Sequence, residues 1–378
     1  MLKKLKALII TLLLFCLSFE LFSLSFLYLN PQAELAPRLP SYHWNNVLVP
    51  KETKVISTEI GNWYQSDLNL KISFNRFAGC NPYHLITNSY GSRDAERALS
   101  SSSTRVIVLG DTMMEGMGVD VSYRISNLLE SRSGIEHLNF SLKNTGSLHH
   151  LETYKALASE FDHDAIIVGL FPYDDFIDAD MDKKTKFDAS YSGQFLIGDY
   201  PNYEIVTHVP EIQKNDDFVY VEALLHEYTY SWHFLLYLRN RSKSKSFDSP
   251  SAYYFHAEDE FLKFSYPLEQ LALLAPDKDI YLVSIPYLND LKSYQNGTTA
   301  PFTQKMSDFA DQYSNVMYFD LLQPISGHAS DNPEELYFSC NKQHFSEQGY
   351  SLTADILYES LPIYASDRAE AELVSVTD

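Results

Sequence analysis

The 378-residue chain is 45% hydrophobic and 14% aromatic, with 29 Lys+Arg against 50 Asp+Glu. That length buries a sizeable core, and the aromatic content excludes a disordered chain. A net charge of −21 without a basic stripe argues against nucleic acid as a partner, because phosphate neutralisation needs clustered Lys and Arg. Cys16, Cys80 and Cys340 are too few for a disulfide scaffold, and their spacing offers no zinc motif.

Lys3, Lys4 and Lys6 precede an apolar run from Ala7 to Leu29. As a helix this run extends about 34 Å, enough to cross a hydrocarbon core of about 30 Å. The positive flank assigns residues 1–6 to the cytoplasm, 7–29 to a transmembrane signal anchor and the remainder to the outside. A cleaved signal peptide is the competing reading; its apolar region is normally shorter and ends in a small-residue site. The expected location is the inner (cytoplasmic) membrane, single-pass, with the folded part periplasmic. Glu20 lies within the span and is read as protonated or snorkelling rather than as a partner site. Export would leave Cys80 and Cys340 in an oxidising compartment, either bridged or as two unpaired thiols.

Residues 30–79 read as a stalk and lead-in, proline-containing and without periodicity to about Tyr64. Apolar runs at Arg105–Gly110, His137–Ser141, Ala165–Phe171, Asp279–Ile285 and Val316–Asp320 have the character of buried parallel strands. Helical spacing occupies Ser122–Ser131, Gly146–Phe161, Thr303–Tyr313 and Ser346–Leu361. Alternating strands and helices predict an α/β, three-layer α/β/α sandwich over residues 80–362, with a parallel, flavodoxin-like sheet. Residues 179–258 interrupt the alternation. They carry an expected helix from Val221 to Leu238 with a basic end, and read either as a lid or substrate wall or as a surface excursion. Residues 363–378 form an acidic tail. Ligands of such sheets bind beyond the carboxyl ends of the strands.

Three segments fall at those ends: Val108–Val119 with Gly-Asp-Thr, Gly169–Asp178, and Cys340–Gly349 with its histidine. Asn88-Ser-Tyr-Gly-Ser-Arg-Asp94 precedes the first, and Leu138–Gly146 lies between the first two. In order and context these five blocks resemble the SGNH (GDSL-type) hydrolase superfamily, in particular its membrane-anchored bacterial members. The resemblance covers most of residues 80–362. In that family a Gly-Asp-Ser serine attacks an ester carbonyl, an Asp-x-x-His pair supplies the base, and backbone N–H groups with an asparagine form the oxyanion hole.

The resemblance puts Thr112 at the serine, His344 at the base, Asn341 at the aspartate and Asp174 at the asparagine. Ser141 takes the glycine position, with Asn144 as the alternative. Asp111 is expected to support the turn, and Asp175 or Asp178 could act as a charged orienter from outside the motif. Threonine keeps a hydroxyl but stiffens χ1. Asn341 brings no charge to stabilise imidazolium; the same change in a serine-protease triad costs about 10⁴ in rate. Asp174 repels an oxyanion unless a dry site keeps it protonated.

The implied function is an anchored esterase or O-acyltransferase on acyl esters, with an envelope polysaccharide as the family-level substrate. The alternative is a catalytically inactive SGNH-fold binding or scaffold protein. No cofactor and no metal are expected: Met113, Met114 and Met117 read as packing, and the adjacent His149 and His150 as surface residues. Gly116 and Gly118 read as backbone-geometry positions. Any protein partner is left unspecified.

Overall fold

The structure is a computed structural model that describes residues 2–30, 54–57, 60–72, 83–187, 193–208, 221, 224–225, 228–241, 251–329, 332–338 and 343–369. One helix, Leu2–Leu29, is long and apolar enough to cross a membrane. Cys80, Cys340 and Asn341 lie outside the described residues, as does most of the expected stalk.

Two antiparallel hairpins come first: β1 (Lys54–Ser57) with β2 (Gly61–Tyr64), and β3 (Asn69–Ile72) with β4 (Tyr83–Ile86). These correct the stalk reading, which runs to about Tyr64. Trp63 and Tyr64 are buried. Trp63 Nε1 donates to Tyr90 O at 2.8 Å, and Tyr64 OH donates to Glu115 at 3.0 Å. Two aromatic residues with polar tips thus clamp the lead-in to the domain.

The central sheet contains β5 (Arg105–Leu109), β6 (Glu136–Asn139) and β7 (Ala165–Leu170). After the hairpin β8 (Gly193–Ile197) and β9 (Glu204–His208) it resumes with β10 (Asp279–Ser284) and β11 (Val316–Asp320). Its order is β11-β10-β7-β5-β6, and every pairing is parallel. Renumbered by appearance, the sheet runs 2-1-3-4-5 from the β6 edge, the flavodoxin-like order. β5 and β7 are buried along their whole length, as β-branched runs covered on both faces should be.

Helices Ile125–Ser133 and Glu347–Ser360 pack together on one face; Ser147–Ala156 and Glu258–Leu274 pack together on the other. The strand order reverses between β5 and β7, which opens a crevice at their carboxyl ends. Insertion hairpin β8–β9 packs on helix Ser147–Ala156, and insertion helix Tyr230–Arg241 packs on the N-terminal helix.

The paired histidines depart from the surface reading. His150 is buried in helix Ser147–Ala156, and His149 Nε2 pairs with Asn62 O at 2.8 Å. Trp63 of the lead-in hairpin stacks on the His149 ring, and the His150 ring lies by the Gly110 backbone.

Candidate active site

β5 runs through Gly110 into a one-turn helix, Thr112–Glu115, capped by Asp111, whose Oδ1 accepts from Met113 N at 3.0 Å. Gly110 and Gly116 both have positive φ, and a Cβ on Gly116 would lie 2.3 Å from Arg124 Cγ. Glycine is therefore required at the end of this turn.

Arg93 holds the turn from below. Its guanidinium is buried and donates to the carbonyls of Glu115 at 2.9 Å, Gly116 at 2.7 Å and Val119 at 2.7 Å. Asp94 pairs with buried Arg124 at 3.0 Å and accepts from Asn139 N at 3.2 Å. Asn139 Nδ2 in turn donates to Met114 O at 2.9 Å. Asn88 Oδ1 accepts from Tyr90 N and Ser92 N, folding the segment so that Arg93 points inward. The Asn88–Asp94 block is thus the scaffold of the Thr112 turn.

Glu115 was not singled out from the sequence. It is fully buried, and its carboxylate accepts from Tyr64 OH and from Lys143 N. The turn at Lys143–Asn144 is thereby tied to the Thr112 helix. Asn144 has φ +61°, a conformation more natural to glycine, and its N–H donates to Thr112 Oγ1 at 3.3 Å. Ser141 N–H is already committed to Asn139 Oδ1 at 2.9 Å. Asn144 N–H, and not Ser141 N–H, thus meets the Thr112 hydroxyl.

His344 lies in the loop before helix Glu347–Ser360. Its neighbour Gln343 donates to Tyr173 OH at 2.7 Å, joining this loop to the one after β7. Lys143, adjacent to Asn144, is close enough for its ammonium to act on the imidazole. The Thr112, Asn144, Asp174 and His344 loops therefore converge on one rim of the sheet.

They do not form a relay. Thr112 is 2% exposed, and among the described residues no hydrogen bond joins its Oγ1 to the His344 ring. His344 Nδ1 is buried without a partner among the described residues. Burial first, and the Lys143 charge second, pull its pKa down to about 4. No described carboxylate raises it.

Asp175 and Asp178 do not supply the missing orienter. Asp175 Oδ2 accepts from Phe171 N at 2.7 Å, and Asp178 pairs with Lys184. Both belong with Asp111 and Asp174 to an acidic group beneath the crevice, where burial first and repulsion within the group second raise the pKa values of Asp111, Asp174 and Asp175. Asp174 is pushed up to about 7 by burial and then by Asp178, with Lys184 opposing. A neutral Asp174 could donate a hydrogen bond; an ionised one could not. Among the described residues, no three His, Cys, Asp or Glu side chains are grouped to hold a metal.

No family model and no curated protein matches the chain. Among solved structures it is similar to a member of the lipolytic protein G-D-S-L family from Veillonella parvula DSM 2008 (10% identity, 68% of this chain and 98% of that chain, TM-score 0.38). It is also similar to the psychrotrophic esterase EstA from Pseudoalteromonas sp. (14% identity, 68% and 96%, TM-score 0.34). The Clostridium thermocellum family 3 carbohydrate esterase gives 13% identity, 68% and 94%, and a TM-score of 0.34.

Proposed function

We propose that this chain is a membrane-anchored, extracytoplasmic SGNH-type protein that keeps the family's cleft as a binding or scaffold module and has lost ordinary ester hydrolysis. The ligand class is the family's own, an acyl ester or an envelope polysaccharide carrying one. The anchor orientation rests on the three lysines before the apolar helix.

One observation supports the loss of activity: among the described residues no carboxylate acts on the buried His344 imidazole, and the Lys143 charge opposes its protonation. A base held near pKa 4 is neutral at pH 7 and thus correctly charged, but weak in drawing a proton from a hydroxyl. Imidazolium forming during attack would meet the Lys143 charge. Thr112 and Asp174 compound this, one by steric crowding and the other by its charge above pH 7.

The test is p-nitrophenyl ester hydrolysis by the full chain in detergent, beside its Thr112→Ala variant. The expected result is the same background rate from both. Hydrolysis well above background that Thr112→Ala abolishes would establish the esterase reading, with Thr112 as nucleophile.

A further inference from the structure

Glu20 faces neither lipid nor water in isolation. Its carboxylate accepts from the backbone N–H groups of Tyr230 and of Ser231, the latter at 3.0 Å. These are the first amides of the insertion helix Tyr230–Arg241, whose preceding residue Thr229 is not helical. The initial N–H groups of a helix have no partner within it, and a carboxylate there also meets the positive end of the helix dipole. The same two helices are joined by rings. Phe234 stacks edge-on against Phe19, Phe22 and Phe26 at centroid distances of 6.0, 5.4 and 5.0 Å. Phe26 also meets Tyr237 at 5.4 Å.

These contacts fix direction and depth. Glu20 pairs with residues 230–231 and Phe26 with Tyr237, so the helices run the same way. Along the anchor, Glu20 lies about 14 Å below Leu29, and the 12-residue insertion helix spans about 18 Å. The insertion helix therefore begins near the middle of a hydrocarbon core of about 30 Å and ends level with its outer boundary. Its end carries Arg239 and Arg241, followed in sequence by Lys243 and Lys245. On the same helix, Leu235 and Leu238 are 47% and 45% exposed.

We infer that helix Tyr230–Arg241 is a second membrane-embedded element, seated in the outer leaflet beside the retained anchor. Glu20 satisfies amides that hydrocarbon could not. Leu235 and Leu238 face lipid. The folded domain is then tethered at two points and held against the bilayer, and cleavage of the N-terminal segment would remove the cap from the insertion helix.

The inference rests on the anchor lying in the bilayer, and the test separates the two. Leu235→Cys and, independently, Leu238→Cys are introduced into the full chain in native membranes. A membrane-impermeant maleimide is applied before or after detergent, and each cysteine is read separately by mass spectrometry. Native Cys16 reports on the anchor, and Phe255→Cys, at a position 71% exposed, reports on the aqueous domain. Loss of labelling at residues 16, 235 and 238 in membranes, regained in detergent, with residue 255 labelled throughout, is expected. Labelling at 235 and 238 with Cys16 protected overturns the embedded helix and leaves the anchor standing. Labelling at Cys16 as well overturns both. Oxidative cross-linking of Phe22→Cys with Phe234→Cys tests the pairing, and its failure in membranes overturns the inference.

Discussion

The turn that carries Thr112 is held by Arg93, Glu115, Asn139 and Asp111, each buried and hydrogen-bonded to its backbone or to the turn beside it. The loop that carries His344 presents an imidazole with an orphaned Nδ1 and a lysine for company. Both regions lie on the same rim, yet one keeps its supporting polar bonds while the other lacks the charge that chemistry would use. Buried polar networks are costly to leave half-satisfied, so stability alone preserves the first. Nothing in folding demands a carboxylate behind a histidine. The contrast is what the proposed loss of catalysis, with the cleft's shape retained, would leave behind.

Restoring the family residues is the strongest way to break this comparison. The combined Thr112→Ser, Asn341→Asp and Asp174→Asn chain should hydrolyse p-nitrophenyl acetate at least about 100-fold faster than wild type, since the Asp-to-Asn change alone costs about 10⁴ in a serine-protease triad. A rate no higher than wild type would mean that the His344 loop lacks more than charge. Arg93→Met tests the intact side: the three carbonyls of the turn lose their donor, lowering stability by about 3 kcal/mol in urea unfolding. A loss below about 0.5 kcal/mol would show that the turn holds itself.

Asp174 gives a pH-dependent handle. Its folded pKa of about 7 lies above the ordinary 3.8, so folding disfavours its ionised form. The penalty is absent below 3.8 and grows to its full size above 7. Asp174→Asn should therefore stabilise the protein at pH 8 by up to about 4 kcal/mol and leave it nearly unchanged at acid pH. Equal effects at both ends would refute the buried carboxylate. The smallest effect is expected from Lys143→Ala: the His344 pKa, followed by NMR, should rise from about 4 and stay below 6.5, because burial outweighs the lysine.

The sheet was legible because β5, β7 and β10 are near-continuous apolar runs whose burial on both faces leaves no other arrangement. The rim was legible through the five blocks. The lead-in hairpins were not, since their four-residue strands are too short for alternation to register. Asn144 was left as an alternative because a left-handed backbone at a non-glycine residue carries no firm signature. Lys143 and Glu115 act through neighbours that only folding brings close. Glu20 was read in isolation because its partner lies 210 residues away, and nothing local to either segment announces the contact.

Covalent capture at residue 112 is the most direct measurement. A fluorophosphonate probe is incubated with the full-length protein near neutral pH, and the tryptic peptide containing Thr112 is weighed by mass spectrometry. An unmodified peptide, beside complete labelling of an ordinary serine esterase in the same tube, is the result expected here. A stoichiometric phosphonyl adduct on Thr112 would show a working nucleophile and contradict the account.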